Sequence, residues 1–274
     1  QMNQKVMDRI REHYVILCRE GYEVVYLGLQ GSQNYGLDIY ENSYLSDVDS
    51  KAIVLPTFED FVENRPPVGF TKVLDNNEHI DVKDIRVMFE NFKKQKINFI
   101  EILFTEYALI NSQYFDEITY LLDGKEKIAR MNVNQALRCM AGISKEKLKA
   151  LQHPYPATLD KIEKFGYDPK QLYHILRMND FIRKYIAEKP YSECLIPDEK
   201  EYLISIKKGA LSCDTAVKLA KLVDESTFWL KDKNVLENDI INNEAVEILR
   251  KVKYDILKKR FKKQILEEEK ECEE

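Results

Sequence analysis

Three aspartates and a Gly-Ser pair carry the chemistry open to this chain. Asp47 and Asp49 flank Val48 at the head of an apolar run, SDVDSKAIVL at 46–55. Alternate residues of a strand project to one face with Cα atoms roughly 6.5–7 Å apart, so the two carboxylates point together. Asp81 lies in a second extended stretch, IDVKDI at 80–85. Converging carboxylates repel unless a cation or a base sits among them. Mg²⁺ or Mn²⁺ suits such a set, because a hard ion takes oxygen ligands and keeps waters that a phosphate can replace. Two such ions about 3.5–4 Å apart clamp the attacking and leaving oxygens of an in-line displacement. Gly31-Ser32 follows an apolar strand, Val24 to Leu29. The glycine lets backbone approach a ligand, and amides together with the Ser32 hydroxyl can hold phosphate oxygens. Metal-dependent phosphoryl transfer is the chemistry these residues suit.

A second constellation is Lys170, His174 and Arg177. The i, i+4, i+7 spacing puts them on one helix face, suited to a polyphosphate or an RNA phosphate. Arg binds bidentately, Lys acts as a point charge, and His donates or titrates.

The positioning elements follow from periodicity. Apolar residues at Val6, Ile10, Tyr14 and Leu17 predict a helix over 3–20. Strands are expected over 23–29 and 47–55, and Pro56 ends the second. Asp75-Asn76-Asn77 marks the turn of a hairpin joining 68–74 to 78–82, which carries Asp81 to the sheet centre. His79 alternates with Asp81 and shares its face. Asp84 reads as the N-cap of a helix over 85–96, not as a metal ligand. From about residue 112 the pattern is helical: 112–122, 131–151, 169–187, 198–207, 213–231 and 242–268. Residues 152–168, with Pro154, Pro156 and Gly166, read as a loop.

The order of strand, Gly31-Ser32, polar loop, Asp47-Val48-Asp49 and apolar-flanked Asp81 resembles the nucleotidyltransferase superfamily of the DNA polymerase beta type. Within it the chain is similar to the RNA-repair-associated, polymerase-beta-like family. That similarity rests on GSQNYGL at 31–37, SDVDSKAIVL at 46–55, IDVKDIRVMF at 80–89, NFIEILFT at 98–105 and GYDPKQLYHILRM at 166–178. The resemblance implies an α+β chain: a nucleotidyltransferase fold with a small mixed β-sheet flanked by helices over 1–124, then an all-helical domain over 125–274. It implies transfer of a nucleoside monophosphate from an NTP to a hydroxyl acceptor, with release of pyrophosphate. Asp47 and Asp49 would bind two Mg²⁺ (or Mn²⁺) ions. Asp81 would bind the second ion and help deprotonate the acceptor. Gly31 and Ser32 would hold the β- and γ-phosphates, and Lys170, His174 and Arg177 would contact the nucleotide or the acceptor. Asn98 and Glu101 match the family as well. An RNA 3′ end, a small-molecule alcohol and a protein hydroxyl all stay open as acceptors, RNA being the one the resemblance favours. A non-catalytic nucleotide- or RNA-binding module on the same fold is the competing reading.

Composition bounds these readings. The 274 residues are 44% hydrophobic and 32% charged, as expected of a soluble globular protein. Residues 1–124 hold 12 Lys+Arg against 21 Asp+Glu, a net of −9, and residues 125–274 hold 30 against 26, a net of +4. The acidic half suits metal binding, so any grip on an extended polyanion falls to the C-terminal half. There Lys251–Lys263 (KVKYDILKKRFKK) reads either as a nucleic-acid patch or as a solvated face of a long helix. Five scattered cysteines without a Cys-x-x-Cys pair imply reduced thiols and a cytoplasmic setting. No apolar run reaches the ~18 residues that span a membrane, and no signal-peptide pattern is visible.

Overall fold

The computed structural model describes residues 2–273. In chain order the elements are α1 (Met2–Arg19), β1 (Glu23–Gln30), β2 (Tyr40–Glu41), β3 (Tyr44–Leu45), β4 (Asp49–Leu55), α2 (Phe58–Val62), β5 (Gly69–Val73), β6 (His79–Asp84), α3 (Ile85–Lys93), α4 (Ile97–Ile100), β7 (Ala108–Ile110), α5 (Phe115–Asp123), α6 (Lys125–Ala129), α7 (Val133–Ala150), α8 (Leu159–Phe165), α9 (Pro169–Ile186), α10 (Tyr191–Leu195), α11 (Lys200–Lys207), α12 (Cys213–Asn234) and α13 (Asn243–Glu273). The class is α+β with a mixed sheet, as expected. The 152–168 loop contains α8, whose short apolar pattern is interrupted by charge and is hard to see between Pro156 and Gly166.

The elements form two compact units, each discontinuous in sequence. A sheet unit comprises 1–31, 47–131 and 241–274, and a helical unit comprises 32–46 and 132–240. The single cut expected at 124/125 therefore does not follow the units. Segment 125–131 and α13 belong with the sheet. The reason for α13 is its apolar stripe: Ala245, Leu249, Val252 and Ile256 are buried, and the helix packs on α2, α3, α5 and α6.

In the sheet unit the strand order is β5-β6-β4-β1-β7. β4 and β6 are parallel, and β1–β4, β1–β7 and β5–β6 are antiparallel. A bulge between Val24 and Tyr26 shifts the pairing of β1 with β4. It puts Val24, Leu27 and Leu29 on one face despite their mixed parity. That face packs on Val6, Ile10 and Leu17 of α1, with Val48, Ala52, Val54, Ile80 and Val82. The opposite face is left to Asp49 and Lys51 of β4 and to His79, Asp81 and Lys83 of β6.

A polar network under the core face pins both strands. His13 of α1 is fully buried, with Nδ1 2.8 Å from Ser50 Oγ and Nε2 3.1 Å from Glu78 Oε1. Arg9 donates to the same Glu78 oxygen at 2.7 Å. Burial pushes the Glu78 carboxyl up, but His13, Arg9 and Asn76 outweigh it and bring it down to about 2. Its folded pKa lies below the unfolded value, so its stabilisation is complete above about pH 4.5 and is lost as pH falls toward 2. Acid titration of the melting temperature should show this loss. Glu78→Gln should remove on the order of 1–2 kcal/mol at pH 7 and flatten the profile below pH 4.5.

In the helical unit α9 is the hub, packing on α7, α10, α11 and α12. Its start follows from Asp168-Pro169: the Asp168 side chain accepts from the Lys170 amide, and Pro169 sits where no N–H is needed. The loop 32–46 begins with a turn in which Tyr35 N and Leu37 N donate to Ser32 O. It closes where Ser46 N donates to Ile39 O and Ile39 N donates to Ser46 Oγ.

Candidate functional site

Asp49 opens β4 opposite Gln30, the last residue of β1, so the Gly31 turn and the acids meet at one corner of the sheet. Asp47 precedes the strand and is exposed, Val48 is buried and Asp49 is half-exposed, which is the alternation expected. Asp49 Oδ1 accepts from the backbone N–H of His79 at 2.8 Å and lies 3.4 Å from His79 Nδ1. The first residue of β6 thereby fixes the carboxylate of β4.

Asp81 shares the face but not the environment. In the parallel register it stands opposite Lys51, two residues beyond Asp49. Its Oδ2 accepts from Lys51 Nζ at 2.9 Å, and Lys83 Nζ is 3.0 Å from Oδ1. Burial pushes the Asp81 carboxyl up, yet the two ammonium groups hold it below the usual carboxylate range. Lys51 is itself buried and sits 4.2 Å from the centre of the Phe99 ring. A carboxylate held this way is a weak base, and it could join a metal only by exchanging a lysine for the cation. Asp81→Asn should therefore cost about 2–4 kcal/mol in urea unfolding, because it strands two ammonium groups. Asp81→Asn and Lys51→Met together should cost less than their separate sum, and strict additivity would dissolve the pair.

Gly31 has φ +139°, a conformation only glycine adopts readily. Its amide donates to Glu101 Oε2 at 2.9 Å, and Glu101 is fully buried. The N–H expected to face phosphate is thus engaged by a carboxylate from the segment after α4. Glu101 supports the turn, and its place in NFIEILFT between apolar residues is the signal that it is a buried structural acid. Asp84 caps α3 by accepting from Arg86 N at 2.8 Å.

Lys170, His174 and Arg177 do share one face of α9, but the face grades from exposed to buried. Lys170 is exposed, His174 is intermediate and Arg177 is buried, with its guanidinium 4.1 Å from the Tyr35 ring centre. Burial, and then Arg177, Lys170, Lys147 and Lys207, hold the His174 pKa well below its ordinary value. That direction favours the neutral imidazole, so of donating and titrating it is donation that this setting suits. Lys207, at the end of α11, is the residue sequence reasoning missed. It is 5% exposed, donates to Leu37 O at 3.0 Å, and lies 4.7 Å from the Tyr173 ring centre and 5.3 Å from that of Tyr44. A lysine in a last helical turn looks like an ordinary dipole partner, so nothing in the pattern marks it.

Asp47 and Asp49 are the two acids that a hard divalent ion could use, since it takes oxygen ligands and keeps waters. Such an ion does not fit all three acids as they stand: among the described residues no group of three His, Cys, Asp or Glu side chains comes together to hold a metal. Part of the basic run of α13 is engaged within its own unit. Lys251 pairs with Asp255, Lys259 with Glu117, Arg260 with Glu23, and Lys263 donates to Gln113. No described helix is long and apolar enough to cross a membrane. No protein-family model matches the chain, and no curated protein matches it significantly.

Proposed function

We propose that the chain transfers a nucleoside monophosphate from a nucleoside triphosphate to a hydroxyl acceptor, with release of pyrophosphate. One observation carries the reading. Asp47 and Asp49 enter β4 beside the glycine turn that ends β1, with Asp81 on the same face of the neighbouring strand. Asp47 and Asp49 would hold the divalent ions. A bound Mg²⁺ would neutralise phosphate charge and acidify a coordinated hydroxyl. The chain's own residues do the positioning: the His79 amide holds Asp49, Glu101 holds the Gly31 turn, and Lys51 and Lys83 keep Asp81 deprotonated. Gly31 and Ser32 stay in the proposal as the phosphate turn, and Lys170, His174 and Arg177 stay as a phosphate-binding face of the helical unit taken by itself. An RNA end is the acceptor that the sequence resemblance favours. A cytoplasmic setting belongs to the same proposal and rests on five scattered cysteines without a Cys-x-x-Cys pair.

A second reading has its own observation. With Asp81 neutralised by two lysines and the Gly31 amide engaged, the corner suits a module that holds a nucleotide or RNA without turnover. Incubation with each α-labelled NTP, Mg²⁺ or Mn²⁺ and pooled RNA decides between them. Label on an acceptor supports transfer, whereas saturable NTP binding without label transfer supports the module.

A further inference from the structure

We infer that the outer face of α13 is the contact through which two copies of this chain pair, with the two helices antiparallel. The pairing is independent of the transfer reaction and involves the sheet unit alone. Tyr254, Leu257, Phe261 and Ile265 follow one another at spacings of three, four and four residues, an apolar stripe about three turns long. It lies apart from the stripe that α13 buries, Ala245, Leu249, Val252 and Ile256. Tyr254 is 59% exposed and Ile265 37%. Arg250, Lys253, Tyr254, Leu257, Lys258 and Phe261 line an open groove of about 430 Å³. The Phe261 ring is fixed by edge-on contacts with Phe58 and Phe61 of α2, at 5.7 and 5.1 Å between ring centres, and those two rings are exposed as well. A continuous apolar face rimmed by charge marks an interaction surface.

Charge identifies the partner. Among the described residues Lys253 and Lys262 have no carboxylate within ion-pair distance, and Lys258 has only the Tyr254 ring. Gln264 still touches the unit, accepting from Phe58 N, but every residue from Ile265 to Glu273 is exposed. A helical segment of that length packed on nothing is marginal in water by itself. In it Glu268, Glu269, Glu271 and Glu273 have no cation within ion-pair distance among the described residues. Lys258 and Glu269 are eleven residues apart, and Lys253 and Glu271 eighteen. Those separations are close to three and five whole turns, so each pair lies on one flank of the stripe. Within one helix the members stand roughly 16 and 27 Å apart, beyond a Debye length, and cannot meet. A two-fold axis at right angles to two helices brings like flanks together with direction reversed, and such a contact needs a surface that carries its own complement. With Phe261 of each copy on Ile265 of the other, the axis passes at Lys263, midway between them. Lys258 then faces Glu269 of the second copy, and Lys253 comes within one turn of its Glu271. A parallel pairing would set lysine against lysine and glutamate against glutamate. A nucleic acid would meet the lysines and then the run of glutamates, which repels it.

Sedimentation equilibrium of the full chain tests the pairing. Wild type should form a reversible dimer with a Kd of roughly micromolar order, as suits a contact of this modest size. Ile265→Asp, at an exposed position, should abolish it. Lys258→Glu and Glu269→Lys, also at exposed positions, should each weaken self-association roughly tenfold or more, because each sets like charges face to face twice per dimer. Mixed in equal amounts, those two variants should regain wild-type affinity as a heterodimer, since every reversed charge then meets its complement. Wild type that stays monomeric at roughly a hundred times the expected Kd overturns the pairing. So does a dimer as tight in both charge variants as in wild type, or a mixture that associates no better than its components. A monomeric chain that binds single-stranded RNA in a Lys258-dependent manner assigns the face to nucleic acid and overturns the pairing as well.

Discussion

Asp49→Asn should abolish label transfer, lowering it about 10³-fold or more, while the protein still melts cooperatively within about 1 °C of wild type. Loss of a metal ligand removes several kcal/mol of transition-state stabilisation, and each 1.36 kcal/mol is a factor of ten. Asparagine is the informative replacement. Its side-chain oxygen can still accept from the His79 amide, the contact that ties β4 to β6. Asp49→Ala removes that acceptor as well and should add about 1 kcal/mol of destabilisation unrelated to chemistry. Asp47→Asn, at the exposed position before the strand, should match Asp49→Asn in loss of activity. Melts with Mn²⁺ and NTP provide the independent readout: wild type gains stability by ligand linkage and both variants gain much less. Full transfer by Asp49→Asn, or equal ligand-induced shifts in all three proteins, removes the two aspartates from the site.

The sheet was legible where patterning was strict. The α1 stripe, the Asp75–Asn77 hairpin turn and the Asp84 cap each depend on a local rule, and each lies where that rule puts it. The unit boundary was not legible, because burial of α13 on α2, α3, α5 and α6 is a long-range choice that its own sequence does not declare. The surroundings of the acids were hidden for a similar reason. Alternation put Asp47 with Asp49 and His79 with Asp81, but pairing of Asp81 with Lys51 depends on the parallel register of β4 with β6, which no single strand encodes. The buried set of His13, Ser50 and Glu78 joins residues far apart in the chain and has no motif. Lys207 was invisible because its burial comes from the 32–46 loop, distant in sequence.

Arg177→Ala tests whether the α9 face does chemistry or only packing, and burial changes what it should show. An exposed face predicts a loss of activity with little loss of stability. Arg177 is instead buried against Tyr35, so truncation removes a desolvated cation–π contact worth about 2 kcal/mol and leaves a cavity costing about 2–3 kcal/mol. Relief of repulsion with Lys207 and Lys170 works the other way. The expected net is a destabilisation of about 2–4 kcal/mol. Arg177→Met separates the two roles: it fills most of the volume and should recover at least half of the stability, yet lack the charge. If the face binds phosphate, Arg177→Met should still lower kcat/KM for the NTP by roughly tenfold to a hundredfold, while Arg177→Lys should recover part of it by restoring a point charge without the planar fork. Kinetics of Arg177→Met equal to wild type on every active substrate would leave the residue a packing element of the helical unit.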